Sequence, residues 1–115
     1  MNGMTKRMLG TQVIVEGKPS HIRYLPQDDT YEFALEFYHS SWQTVYVNQI
    51  PVSIHALVLL LPKQWEALMK QIEKSGDTLE HANELTIKGW RIKHISATKV
   101  IFVPSDVMYH AAQKI

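Results

Sequence analysis

The chain contains no cysteine. That excludes thiol nucleophiles, thiolate metal sites and a disulfide framework, and it favours a reducing compartment, so the expected location is the cytoplasm. Its five glycines stand singly, at positions 3, 10, 17, 76 and 89, so no loop clusters them as a phosphate-cradling turn requires. The apolar run Ala56–Leu61 has only six residues, far short of the ~20 that span a bilayer. The stretch after Lys6 and Arg7 is too short and polar for the apolar region of a signal peptide, so no membrane contact is expected. Charge is missing by region as well. Residues 24–62 hold four acids and no Lys or Arg, whereas Leu85 to Pro104 holds Lys88, Arg91, Lys93 and Lys99 without an acid.

What remains is an ordinary globular composition: 115 residues, 45% apolar, 20% charged, net charge +1. That length suits one domain able to bury a core without metal or cross-links. Residues 1–10 lack periodicity and read as a flexible tail ahead of a single domain over 11–115.

Thr11–Gly17 and His21–Leu25 read as two strands joined by Gly17-Lys18-Pro19-Ser20, an expected hairpin. Tyr31, Phe33, Leu35 and Phe37 alternate with Glu32, Ala34 and Glu36, which describes a third strand with one face buried and an acidic face wet. Trp42–Val47 is a fourth, completing a meander. Residues 54–61 fit either a buried strand or a short helix, with the spacing of Ile54, Leu57, Val58 and Leu61 favouring helix. Pro62 to Ser75 is an amphipathic helix, with Trp65, Leu68, Met69 and Ile72 on one face, Pro62 in its first turn and Gly76 as its stop. Asp77 and Glu80 have the form of a reciprocal cap opening a second helix to Gly89. Trp90–His94 and Lys99–Val103 read as a β-hairpin, and Ser105 as the cap of a C-terminal helix bearing Met108, Ala111, Ala112 and Ile115. The expected class is α+β: an antiparallel meander, two helices, a hairpin and a last helix, with the helices packed on one face of the sheet.

Motifs of chemistry are scarce. Six histidines (21, 39, 55, 81, 94 and 110) are spread over different elements, and only His81 with Glu84 would share a helical face, so no metal site and no cofactor is expected. No Gly-x-Ser-x-Gly elbow or Ser-x-x-Lys raises any serine above turn chemistry. These exclusions favour a non-catalytic protein-interaction module, a regulator or inhibitor that occludes a partner. Seven of the eleven aromatics lie between Tyr24 and Tyr46, in the segment without Lys or Arg. Glu32, Glu36, Tyr38, Trp42 and Tyr46 are therefore the expected partner-binding residues. The alternative is a nucleic-acid-binding protein using Lys88, Arg91, Lys93 and Lys99 of the basic hairpin; strict alternation would put Arg91 and Lys93 on one face, opposite Trp90, Ile92 and His94. A homodimer through a strand edge or the C-terminal helix is the third expectation.

Overall fold

A computed structural model of the chain describes residues 10–26, 28, 30–38, 43–78 and 81–111. Within them lie ten strands and one helix. The strands are β1 (Val13–Gly17), β2 (His21–Tyr24), β3 (Phe33–Phe37), β4 (Gln43–Val47), β5 (Ile50–Val52), β6 (His55–Leu60), β7 (Glu84–Gly89), β8 (Arg91–Ile95), β9 (Lys99–Val103) and β10 (Asp106–His110). The helix, α1, spans Pro62–Lys74. They form two five-stranded sheets, the first in the order β10-β7-β1-β4-β5 and the second in the order β2-β3-β6-β9-β8.

The α+β expectation is therefore overturned: the protein is mainly β, with a single helix among the described residues. The meander is absent too. β1 pairs with β4 and β7, while β2 pairs with β3 in the other sheet, so the turn at Gly17–Ser20 carries the chain between sheets and makes no hairpin. Residues 55–60 are strand, because Ala56, Val58 and Leu60 are buried at period two and β6 is flanked on both sides by β3 and β9. The second helix is replaced by β7, where Leu85, Ile87 and Gly89 point inward and Glu84, Thr86 and Lys88 do not. The C-terminal helix is replaced by β10, whose Tyr109 is buried; Ala112 and Ile115 lie outside the described residues. In both places a run of about five residues satisfied a helical stripe and a strand alternation at once, and pairing with β1 and β7 decided for strand.

The expected amphipathic helix is present. Gln64 accepts the Leu61 N–H at 2.9 Å through Oε1, and its Nε2 donates to the Pro104 carbonyl at 2.7 Å, fixing the helix start to the corner between β9 and β10. At its end Gly76, at φ 76°, lets the Gly76 N–H reach the Glu73 carbonyl and the Asp77 N–H reach that of Ile72. Leu68 and Ile72 are buried, and Trp65 stacks on Phe33 with centroids 4.0 Å apart. One apolar cluster joins the inner faces of both sheets: Val13, Val15, Val45, Leu85 and Ile87 from the first, Leu35, Phe37, Val58, Leu60, Val100 and Phe102 from the second. The opposite face of the second sheet is thereby left pointing outward.

Candidate functional site

Strand register places the side chains of that outward face. His21 pairs with Glu36, Glu36 with Leu57, Leu57 with Ile101 and Ile101 with His94, a row crossing all five strands. Two residues along, Arg23 pairs with Ala34 and Ala34 with Leu59, while Arg91 pairs with Val103 on the far side. In the other direction His55 pairs with Lys99, and Tyr38 follows Glu36 on the same face. The centre of the face is thus aliphatic (Leu57, Leu59 and Ile101, all half-buried), and its rim carries Arg23, Arg91, Lys99 and three histidines.

Among the described residues one acid sits with them. Glu36 is buried, its Oε2 accepting the Tyr38 hydroxyl proton at 2.6 Å and its Oε1 lying 2.5 Å from Arg23 Nε. The Arg23 contact is one of charge, since Oε1 receives no directed hydrogen bond. Glu36 also holds the Tyr38 phenol above its usual range, chiefly through their hydrogen bond. Beside this pair a depression of about 470 Å³ is lined by Arg23, Glu36, Tyr38, His55, Leu57 and Lys99, with the Tyr38 ring meeting His55 edge-on. A second cleft, of about 510 Å³, opens where Thr11, Val47 and Asn48 face Ile95, Ser96 and Ala97, and among the described residues no charged side chain lines it.

The expected partner-binding set is divided by the fold. Glu36 and Tyr38 meet; Glu32 is exposed at the bend before β3; Tyr46 lies on the first sheet, paired with Ile14 and Pro51; Trp42 falls outside the described residues. Glu36 is also not on a wet face, because Arg23 and Tyr38 fold over it. The basic set divides likewise. Lys99 and Arg91 reach the outward face, whereas Lys88 lies on the first sheet opposite Asp106, its ammonium 5.2 Å from the Trp90 ring. The hairpin β8–β9 forms, but with a bulge between Ile92 and His94 that leaves Lys93 unpaired. Arg91 consequently shares its face with His94, not with Lys93.

Sequence reasoning missed His21, Arg23, His55 and Leu57. The alternation of His21-Ile22-Arg23 was visible, but nothing in it indicates that β2 lies beside β3 and that Arg23 reaches Glu36. The described histidines do not converge: His21 and His94 occupy opposite edge strands, four strand spacings or roughly 19 Å apart. His81 lies in a turn and Glu84 on β7, so the helical pair is absent, and no group of three or more metal-ligating side chains occurs among the described residues. Nor is any helix among them long and apolar enough to cross a membrane. No family model matches the chain, and neither a curated protein nor a solved structure matches it.

Proposed function

We propose that the protein is a non-catalytic interaction module, acting in the cytoplasm as a regulator or inhibitor, which docks an acidic-rimmed partner protein on the outward face of the second sheet. The observation that carries this reading is the composition of that face, an aliphatic centre at Leu57, Leu59 and Ile101 within a rim of Arg23, Arg91 and Lys99. A protein interface has this anatomy, apolar in the middle and polar around it. Its carboxylate, Glu36, is taken up by Arg23 and Tyr38 and is not presented to a substrate. Nucleic acid is the second reading, favoured by the same rim, but single strands are held by stacking on aromatic rings and the centre of this face has aliphatic side chains.

Quantitative pull-downs compare the wild type with Leu57→Asp, Ile101→Asp and Arg91→Glu, using Lys63→Glu on the exposed side of α1 as control. Proteins held by the wild type and the control, and lost from the three face variants, support the reading. Capture unaffected by the face variants removes it. Salt-sensitive binding of a single-stranded oligonucleotide that weakens in Arg91→Ala and Lys99→Ala replaces it with the second.

A further inference from the structure

The charge of the depression can be resolved residue by residue. Arg23 is matched by Glu36 at 2.5 Å, whereas among the described residues no carboxylate lies within ion-pair distance of Lys99. Among the described lining residues, the two permanent cations and one carboxylate leave a surplus of one positive charge, which a monoanion matches. The Tyr38 hydroxyl, on a residue that lines the depression, donates its hydrogen to Glu36, which leaves its oxygen with acceptor capacity only. The complementary ligand therefore brings one carboxylate for Lys99 and, next to it, an N–H for Tyr38. At about 470 Å³ the depression also holds more than a lone carboxylate, and half-buried Leu57 forms an apolar part of its wall.

The last residue of a polypeptide supplies all of these within a single residue: a carboxylate, an amide N–H and a side chain. We propose that this depression captures the C-terminal carboxylate of the docking partner. Lys99, the register partner of His55, supplies the cation. Tyr38 accepts the terminal amide and Leu57 receives the terminal side chain. The assignment rests on the docking reading of the outward face and deepens it.

The test is fluorescence anisotropy of the full chain at low salt with two degenerate octapeptide pools, identical except that one ends in a free carboxylate and the other in an amide. The free-acid pool is expected to bind at least about tenfold tighter, a difference of ~1.4 kcal/mol. Lys99→Ala, at an exposed position, is expected to erase that preference while circular dichroism stays unchanged. Equal binding of the two pools, binding of neither, or a preference that survives Lys99→Ala overturns the assignment. So does competition by free leucine or glycine as strong as that of the peptides, which gives the site to a free amino acid. Failure here is distinct from failure of the docking reading: partner capture lost in Leu57→Asp but indifferent to the partner's terminal residue removes only the carboxylate site.

Discussion

Glu36 is the residue on which the outward face depends. It is the acid of a strand that alternates cleanly in sequence, yet only 9% of its side chain is exposed, because Arg23 from the neighbouring strand and Tyr38 two positions on close over it. Removing one member of such a pair strands the other. Arg23→Ala leaves a buried carboxylate without its cation, a loss of about 1–3 kcal/mol once the half-exposed guanidinium is discounted for solvent. The double variant with Glu36→Gln, which keeps the shape and the acceptor for Tyr38, should recover most of it; urea denaturation of the three variants measures both. A phenol whose folded pKa is raised favours its protonated form in the folded state. Its contribution to stability is therefore complete below the usual tyrosine value and is lost as pH rises through the folded one. In an alkaline titration followed at 295 nm, Glu36→Gln is expected to move part of the late tyrosine absorbance change to lower pH. An unchanged profile would show that Glu36 does not set the acidity of Tyr38.

At the scale of elements, length and enclosure decided what could be read from the sequence. α1 was legible because 13 residues sustain one apolar face and carry their own stop at Gly76. β8 and β9 were legible because alternation and a turn at Ser96–Thr98 coincide. β7 and β10 were not, since five or six residues match a helical stripe as well as a strand alternation, and what decides is long-range pairing, of β7 with β1 and of β10 with β7. The candidate face suffered the same fate: its residues come from five strands whose order, β2-β3-β6-β9-β8, no local pattern records. Gly89 shows how tightly the corners between sheets are made. A Cβ there would lie 2.9 Å from the Pro104 Cα and the Val103 carbonyl oxygen, both backbone atoms that cannot swing aside. Gly89→Ala is expected to cost about 1–3 kcal/mol, read as a lower urea midpoint with an unchanged slope. A midpoint equal to wild type would mean that the β7–β8 and β9–β10 corners yield freely.

At the scale of the whole molecule, the two open sheets of the described residues leave four edge strands, and each is blunted in a different way. β5 has three residues and contains Pro51; β2 has four and carries His21 and Arg23; β10 has its Tyr109 N–H taken by Gln71 Oε1 of α1 at 3.3 Å; β8 is interrupted by the bulge at Lys93. These are the devices that keep sheet edges from pairing with other chains, so a homodimer through a strand edge is disfavoured. The bulge can be tested alone. Deleting Lys93 leaves Arg91 opposite Val103, Ile92 opposite Phe102 and His94 opposite Ile101, so the internal ladder and the outward row survive while the β8 edge becomes straight. The deletion variant is expected to keep its strand content by circular dichroism but to shift from monomer toward dimer with concentration in light scattering, whereas the wild type stays near 13.3 kDa. A deletion variant that remains monomeric at the same concentrations would show that the bulge serves only to turn His94 onto the outward face, and a wild type that dimerises would show that the protection fails at one of the other edges.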